Sequence, residues 1–294
     1  MNILISGGSG YLGGNLARLL ASEGHRVCLP LRSQSSTVKI SDLKDSCAIE
    51  KYSSQLDLKK IILNARPEIL IHMATSYGRS GESDVDIVKA NVLFGISLLE
   101  IAENLGYPVK FINTDTCLEA NLNSYALSKS QFVDWGRLLS NGDSNNLTFI
   151  NVKLQQFYGP SDDKTKLPGH IVHSCLANSK SLELTEGTQL RDFIYVDDVL
   201  SAYSILVDNI ENFEQFTDVE LGTGRSITIR EFVESVHSMS ESSIKLLFGA
   251  LPFRKNEPEE CVADPAVLTS LGWEPKFSLA EGLRQVIEVE RSCL

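Results

Sequence analysis

The chain has 294 residues, of which 43% are hydrophobic and 22% charged, so it can bury the core of one large α/β domain or of a two-lobed enzyme. Its apolar runs fall short of the roughly 20 residues that span a membrane, and we expect a cytoplasmic protein with no membrane partner. A net charge of −11 argues against a nucleic-acid partner and requires that any anionic ligand be held by a local cluster of donors.

The first strand, predicted over residues 3–6, runs directly into a glycine-rich turn and then into an amphipathic helix over 16–23. Three glycines at this spacing permit a tight turn, close approach of a pyrophosphate to the backbone, and close packing of the helix on the sheet. The N-terminus of the helix would offer N–H groups and a positive dipole to the phosphates. The pattern predicts a dinucleotide site lined by Gly7, Ser9, Gly10, Tyr11, Leu12 and Gly13.

The residue at the end of the second strand indicates whether the site selects NAD or NADP. Sites that select NAD place a carboxylate here to accept the ribose hydroxyls. In this chain the strand ends in Arg32, and Ser33 and further hydroxyl residues follow. A guanidinium can pair with a 2′-phosphate that a carboxylate would repel, so we expect NADP(H). If Arg32 is only an exposed loop residue with no ligand, NAD(H) remains an alternative cofactor.

Strand-like and helix-like segments alternate through the first half of the chain. The predicted strands cover residues 3–6, 26–31, 69–72, 110–113 and 148–152, and the predicted helices cover 16–23, 56–65, 87–105 and 125–139. This succession predicts an α/β fold with a doubly wound parallel sheet of the Rossmann type, whose ligands bind beyond the carboxyl ends of the strands.

The character of the sequence changes after about Gly159, where the elements become shorter and prolines more frequent. We interpret this part as a smaller C-terminal α/β lobe that closes over a substrate. The expected division is a cofactor-binding domain over 1–158, completed by parts of 190–222, and a substrate-binding lobe formed by 159–189 and 223–294.

A Tyr-x-x-x-Lys pair begins the helix predicted over 125–139. Tyr125 and Lys129 lie four residues apart and therefore on one helical face. A nearby ammonium favours the phenolate, so we expect Lys129 to lower the pKa of Tyr125 toward a useful acid–base range, and Lys129 could also hold ribose hydroxyls. Thr114, directly after the strand over 110–113, would hold the substrate oxygen with its hydroxyl. Such a pair on an exposed helix can arise by chance, but behind a glycine loop it predicts catalysis.

Cysteine and histidine spacing favours neither a disulfide framework nor a metal site. The six cysteines are scattered without a Cys-x-x-Cys pair, as is typical of reduced thiols in a cytosolic protein. His170 and His173 could share a helix face, but no carboxylate or cysteine completes a recognisable set of metal ligands.

At these residues the chain resembles the extended short-chain dehydrogenase/reductases, specifically the nucleotide-sugar epimerase/dehydratase family. The resemblance spans nearly the whole sequence. The matching segments are the glycine motif over 7–13, His72-Met73-Ala74, Asn91, and residues 157–160, 191–198, 254–258, 264 and 271–275.

The resemblance implies the roles of particular residues. The catalytic group would be Thr114, Tyr125 and Lys129. The cofactor would also contact Met73, Ala74 and Asn91, together with Tyr125 and Lys129 themselves. The residues expected to contact a nucleotide-diphosphate sugar are Asp115, Thr116, His170, Arg191, Arg254 and Glu257.

Within that set, the resemblance implies that Arg191 and Arg254 contact the diphosphate and that Glu257 binds the nucleotide ribose. Arginine forks suit phosphate oxygens, although both arginines could instead form surface ion pairs. The resemblance also implies a homodimer formed through the helices over 87–105 and 125–139. Their apolar faces could equally be consumed by packing on the sheet.

Departures from the family pattern bear on the reaction. In the family's 4,6-dehydratases the catalytic hydroxyl residue is followed by Asp and Glu, whereas Asp115 and Thr116 follow Thr114, so dehydration is disfavoured. An epimerase/reductase similar to GDP-fucose synthase would have Cys two places after the hydroxyl residue and His in the lobe helix. His170 fits that pattern, but Thr116 occupies the cysteine position and Cys117 lies one residue late.

The remaining cues favour a reductase. Family 4-epimerases retain NAD, whereas an enzyme that uses NADPH more naturally consumes it. Residues 158–167 and 184–187 resemble the branch of CDP-abequose and CDP-paratose synthases, which reduce a 4-keto group. The resemblance implies NADPH-dependent reduction of a CDP- or dTDP-linked 4-keto-6-deoxyhexose in O-antigen or other deoxysugar biosynthesis.

Two alternatives stay open, namely a 4-epimerase or epimerase/reductase, and a non-catalytic NADP sensor. A sensor would need the glycine loop but not the acid–base residues. The intact group of Thr114, Tyr125 and Lys129 argues against it.

Overall fold

The computed structural model describes residues 1–142 and 146–293. The chain groups into two compact units, one formed by Met1–Lys153 with Tyr203–Val219 and the other by Leu154–Ala202 with Glu220–Leu294. Within the described ranges, no helix is both long and apolar enough to cross a membrane.

The strands in chain order are β1 (Asn2–Ser6), β2 (Arg26–Arg32), β3 (Cys47–Tyr52), β4 (Ile69–His72), β5 (Val109–Thr116), β6 (Leu147–Leu154), β7 (Gln156–Tyr158), β8 (Ser181–Glu183), β9 (Leu190–Arg191), β10 (Phe193–Tyr195), β11 (Phe216–Leu221), β12 (Ile227–Thr228), β13 (Lys245–Leu247) and β14 (Glu260–Cys261). The α-helices are α1 (Tyr11–Ser22), α2 (Gln55–Ala65), α3 (Asp84–Val88), α4 (Phe94–Glu103), α5 (Ser124–Ser140), α6 (Leu167–Leu176), α7 (Val196–Asp208), α8 (Ile229–Met239), α9 (Ala266–Ser270) and α10 (Leu279–Ser292). Short 3-10 helices cover Val38–Asp45 and Ile210–Asn212, and a π-helical turn over Lys89–Leu93 joins α3 to α4.

The first unit is built on a seven-stranded sheet in the order β11-β6-β5-β4-β1-β2-β3. The pairs from β5 through β3 run parallel, and Ser6, His72 and Asn113 lie side by side across β1, β4 and β5. The segments that leave these strands therefore meet at one edge of the sheet. The order reverses between β1 and β4, which is where α/β sheets of this kind bind their ligands. The predicted Rossmann fold is confirmed.

All five predicted strands and four predicted helices are present, with shifted ends. Capping fixes several helix starts: Ser54 and Asp57 form a capping box at α2, and the Asn123 side chain accepts from the Ala126 N–H at α5. One further strand, β3, lies at the edge of the sheet and was not predicted. Its charged Glu50 and Lys51 obscure the alternation of a half-buried strand.

Aromatic packing seats α5 against the sheet. The rings of Phe111 and Phe149 stack at 5.4 Å, and the ring of Phe132, from α5, lies 6.1 Å from that of Phe111. A Cβ on Gly136 of α5 would overlap the Phe149 ring, so glycine lets the helix approach the strands closely. This contact sets the distance between the start of α5 and the carboxyl end of β5.

The second unit contains two- and three-stranded sheets, β7 with β10, β8 with β13, and β9 between β12 and β14. Its segment over 191–198, quoted above for the family resemblance, supplies buried carboxylates that tie loops together. Asp192 accepts from the N–H groups of Thr223 and Gly224, both at 2.9 Å, and Asp198 accepts from the Lys276 N–H at 2.7 Å. These acidic residues stabilise the unit itself.

Candidate active site

The glycine turn after β1 has the shape of a phosphate cradle. Gly7 has a φ of +79°, which side chains other than glycine rarely adopt, and a Cβ there would lie 2.6 Å from the Ala74 nitrogen. The Gly10 N–H donates to the Gly7 carbonyl oxygen at 2.9 Å, and a Cβ on Gly13 would overlap that same oxygen. The N-terminus of α1 follows at Tyr11, so its dipole points into the turn. These residues fit a dinucleotide pyrophosphate.

The segment after β4 borders the same turn. The Met73 N–H donates to the Ser6 carbonyl oxygen at 3.1 Å, which brings Met73 and Ala74 against Gly7. His72, fully buried, shares a 2.6 Å hydrogen bond between its Nδ1 and Ser6 Oγ. Burial and the nearby Lys129 charge hold the pKa of His72 well below its ordinary value. His72 is therefore neutral and fixes the end of β4 beside β1.

Asn91 lies in the π-helical turn and is fully buried. Its Nδ2 donates to the Ser76 carbonyl oxygen and to Ser128 Oγ, both at 2.9 Å. Its Oδ1 accepts from Thr75 Oγ1 at 3.1 Å and from the Ser76 N–H at 2.7 Å. These four bonds use the full capacity of the amide. Asn91 therefore fixes the loop after β4 against α5, and its direct contact with the cofactor stays a prediction.

Tyr125 and Lys129 lie one turn apart on α5, and the Lys129 side chain is buried. Burial raises the pKa of Tyr125 well above its usual value of 10, and the neighbouring Tyr77 and Asp115 act in the same direction. A hydrogen bond with Thr116 opposes this shift. The expectation that the pKa of Tyr125 is lowered is therefore wrong, because burial raises it. The phenol holds its proton at neutral pH and can act as an acid.

Lys129 is affected in the opposite sense, because burial penalises its charge. Its pKa falls from the usual 10.5 to about 8, with the Asp115 carboxylate working against the shift. Asp115 is itself nearly buried and accepts from Asn151 Nδ2 at 3.2 Å. The sheet thus holds a negative charge close to the lysine.

Thr116, and not Thr114, is the hydroxyl residue that acts on the pKa of Tyr125, while the catalytic role expected of Thr114 stays a prediction. Thr114 Oγ1 lies 2.6 Å from the hydroxyl of Tyr203, a fully buried residue of α7. Thr116 is the last residue of β5, and its side chain acts to lower the pKa of Tyr125. Since a strand rises about 3.3 Å per residue, Thr116 lies about 7 Å nearer the edge of the sheet, where α5 begins. The strand continues three residues past its predicted end, which moves the site outward.

Tyr77 is a neighbour that sequence reasoning missed. Its ring centroid lies 4.9 Å from that of Tyr125, and the Arg79 guanidinium lies 5.0 Å from the Tyr77 ring centroid. The available signal was position, because Tyr77 follows β4 on the loop that Asn91 holds. A second phenol therefore lies beside Tyr125, and the Arg79 cation lies against the ring of that second phenol.

Arg32 is the last residue of β2, and its side chain is exposed. The N–H and Oγ of the following Ser33 both donate to the Tyr52 carbonyl oxygen, at 2.9 and 2.8 Å. The Ser33 hydroxyl proton is therefore committed to β3, which leaves its oxygen as an acceptor rather than as a donor to phosphate.

The residues of the second unit that were expected to contact substrate differ from one another in burial. Arg191 is nearly buried and donates from Nη2 to Glu257 Oε1 and to the Pro258 carbonyl oxygen, both at 3.0 Å. His170 and Arg254 are exposed. Arg191 and Glu257, assigned to separate parts of the nucleotide, thus form an ion pair with each other.

Replacing Lys129 by Met should stabilise the protein while removing catalysis. At pH 7 the lysine is protonated both folded and unfolded, so the fold bears the cost of burying the charge. The shift from 10.5 to about 8 corresponds to at most about 3 kcal/mol, which we expect Lys129→Met to recover in the free energy of unfolding. The gain should shrink as pH rises from about 8 to 10.5, where the folded lysine loses its proton.

Urea unfolding of both proteins at pH 7 and pH 10 measures this difference. A variant that is less stable than the parent at pH 7, or whose advantage grows with pH, would contradict the assignment of a buried charge to Lys129.

Comparison with known proteins shows which family this chain is similar to. Residues 3–222 match the model of the NAD dependent epimerase/dehydratase family. The chain is 30% identical to a CDP-abequose synthase of Salmonella muenchen, over 98% of this chain and 97% of the relative. It is 28% identical to the CDP-abequose synthase of Salmonella typhimurium, over 97% of each chain.

The fold matches solved structures of lower identity. The UDP-glucose 4-epimerase of Thermotoga maritima, solved with UDP-glucose, superposes with a TM-score of 0.86 at 23% identity, over 100% of this chain and 99% of that one. The epimerase of Thermus thermophilus, solved with NAD, gives 0.84 at 22% identity, over 100% of both chains. With a family model that matches three quarters of its length, a phosphate cradle and a Tyr-x-x-x-Lys pair, this chain belongs to the NAD-dependent epimerase/dehydratase family.

Proposed function

We propose that this protein is an NADPH-dependent ketoreductase that converts the 4-keto group of a nucleotide-linked 4-keto-6-deoxyhexose into a hydroxyl, in deoxysugar or O-antigen biosynthesis. The first unit would bind the cofactor and the second the nucleotide. The CDP-abequose synthases at 28% and 30% identity favour a CDP-linked substrate over a dTDP-linked one.

The observation that carries the proposal is the neighbourhood of Thr116. Counted from this hydroxyl residue, Cys117 and Leu118 occupy the places where the family's dehydratases have Asp and Glu. Leu118 also occupies the place of the cysteine expected in an epimerase/reductase. Leu118, an apolar side chain in the place of the dehydratase glutamate, can neither abstract nor return a carbon-bound proton. The site is therefore equipped for protonating an oxygen rather than for moving a proton on carbon.

The chain's own residues account for the remaining steps. When bound, the nicotinamide supplies the hydride. The turn over residues 7–13 would hold the pyrophosphate, Lys129 the ribose hydroxyls and Arg32 the 2′-phosphate.

At the keto oxygen, Thr116 donates a hydrogen bond that fixes its position, and Tyr125 delivers a proton as negative charge develops there. The raised pKa of Tyr125 keeps that proton in place until the oxygen becomes basic enough to take it. Lys129, with its charge supported by Asp115, stabilises the phenolate left behind. Regeneration of the phenol then needs a proton from solvent.

Arg191 and Arg254 are proposed to bind the diphosphate, with Glu257 at the nucleotide ribose. Because Arg191 and Glu257 are paired at 3.0 Å, diphosphate binding must share or replace the carboxylate at the guanidinium. A paired arginine keeps its fork aligned, which lowers the cost of organising it for phosphate oxygens.

The second candidate is a 4-epimerase, the activity named for the solved structures on which this fold superposes. At 22% and 23% identity those superpositions speak to the fold alone. An epimerase would return its hydride to the sugar and show no net use of cofactor.

The deciding assay follows NADPH absorbance with CDP- and dTDP-linked 4-keto-6-deoxyhexoses and with UDP-glucose. We expect loss of NADPH equal to the alcohol formed, with a CDP-linked ketone the best substrate. Conversion of UDP-glucose without loss of NADPH would replace the proposal with the epimerase. NADPH loss that exceeds alcohol formation would also contradict it, because the hydride would not reach the sugar.

We also propose a homodimer, based on an exposed apolar patch on the first unit. The residues that share this patch are Val88, Leu93, Leu127, Trp135 and Leu138, on α5 and on the helical segment that packs beside it. Surfaces of this kind on a protein of net charge −11 mark interaction sites. Sedimentation at micromolar concentration should give about twice the 32.4 kDa of one chain, and a 32.4 kDa species would refute the dimer.

A further inference from the structure

A lysine of the neighbouring strand holds the loop that follows β2. Lys51, in β3, donates from Nζ to the carbonyl oxygens of Ser33 at 3.1 Å and of Ser35 at 2.9 Å. The Ser35 N–H donates in turn to the Arg32 carbonyl oxygen at 2.8 Å. Both lysine contacts are to the main chain, so they fix the path of the loop whatever its side chains are.

Lys51 and Arg32 also bring two positive charges to one corner of the sheet. β2 and β3 are parallel, and Lys51 pairs with Leu31, the residue before Arg32. Successive side chains of a strand point to opposite faces, so Arg32 and Lys51 leave the sheet on different faces. Lys51 still reaches the end of β2, because its Nζ bonds to the Ser33 and Ser35 carbonyl oxygens. Arg32 and Lys51 are both exposed, and over residues 1–142 and 146–293 the Arg32 side chain forms no hydrogen bond or ion pair. A protein with net charge −11 thus leaves a cation uncompensated here.

A phosphomonoester is the group that this corner suits. The Lys51 ammonium has three N–H donors, of which the loop takes two, and the third is available to an anion. The Arg32 guanidinium offers a planar pair of donors one position further along. The loop after Arg32 adds the hydroxyls of Ser35 and Ser36, whereas the Ser33 hydroxyl already donates to the Tyr52 carbonyl oxygen.

We propose that Lys51 is a second determinant of NADP(H) selectivity, which orders the 33–35 loop beside Arg32 and adds positive charge at the 2′-phosphate of the adenosine ribose. This inference depends on the proposed function only through the choice of NADP(H). It makes Lys51 a positioning residue for the cofactor, remote from the reacting atoms.

Binding of two adenosine nucleotides tests this without turnover. Adenosine 2′,5′-bisphosphate and 5′-AMP differ only in the 2′-phosphate, and calorimetric titration gives the ratio of their affinities for the full-length protein. Lys51→Met keeps most of the side-chain length but removes the charge and the donors. We expect it to lower the ratio about tenfold, while 5′-AMP affinity changes less than about twofold.

Three further variants serve as controls for this measurement. Lys51→Arg should retain most of the ratio, because charge and donors return. Arg32→Ala should lower it at least as much as Lys51→Met, and Lys60→Met, on the exposed face of α2, should leave it unchanged.

Two outcomes would overturn the inference, and they differ in meaning. If the parent prefers the bisphosphate but Lys51→Met keeps the full ratio, or weakens both ligands equally, Lys51 is only a structural brace and the NADP(H) assignment stands. If the parent binds both nucleotides equally, the choice of NADP(H) itself fails, and with it this part of the proposed function.

Discussion

Replacement of Tyr125 by Phe is expected to lower kcat for ketone reduction about a thousandfold, because it removes the acid that protonates the sugar oxygen. The phenyl ring preserves the packing against Tyr77, whose ring lies 4.9 Å away. Cofactor affinity should therefore change little, and the loss should fall on kcat rather than on KM. Single-turnover kinetics with saturating NADPH give the chemical step directly.

Tyr77→Phe is the matched control, since it deletes a hydroxyl from the adjacent ring. We expect its kcat to stay within about tenfold of the parent, which is far less than the effect at Tyr125. If Tyr125→Phe retains full turnover, or if Tyr77→Phe is the more damaging change, the phenol of Tyr125 is not the proton donor.

Thr116→Val is expected to lower kcat about a hundredfold, as is typical when a donor to the reacting oxygen is lost. Thr114→Val, two residues earlier on the same strand, should lower kcat less than about threefold, because its hydroxyl bonds to Tyr203 and not to Tyr125. Its effect should instead appear as about 1 kcal/mol of lost stability, since the buried Tyr203 hydroxyl loses its partner.

Steady-state kinetics and urea unfolding of the two valine variants separate these roles. A large kcat loss in Thr114→Val with little loss in Thr116→Val would restore the assignment suggested by the sequence. It would also return Asp115 and Thr116 to the two positions that bear on dehydration.

Local patterns made much of the fold predictable. The strand before Gly7, the helix after Gly13 and the cap before Tyr125 are each encoded within a few residues, so the turn and the start of α5 could be placed from sequence. The edge strand β3 could not, because its charges face solvent and hide its alternation.

The site was less predictable where it depends on strand length or on distant partners. Choosing between Thr114 and Thr116 needs the true end of β5, and strand ends carry weak sequence signals. The ion pair between Arg191 and Glu257 joins residues 66 positions apart, and the sequence spacing gives no sign of it. Asn91 matched a family pattern, yet its amide is fully used by the protein itself.

Electrostatics also depended on burial, which sequence reasoning underestimated. The expectation for Tyr125 considered only the charge of Lys129, whereas removal of both groups from water is the larger effect. The result suits a reductase, because an acid must remain protonated until its partner oxygen becomes basic.

Transfer of deuterium from cofactor to sugar tests the central claim most directly. With NADPH deuterated at both C4 positions of the nicotinamide and a CDP-4-keto-6-deoxyhexose, mass spectrometry and NMR should find one deuterium per product molecule, at sugar C4. The amount should equal the NADP⁺ formed. Product without deuterium, or an isomerised sugar formed with no NADP⁺, would show that the protein is not a 4-ketoreductase.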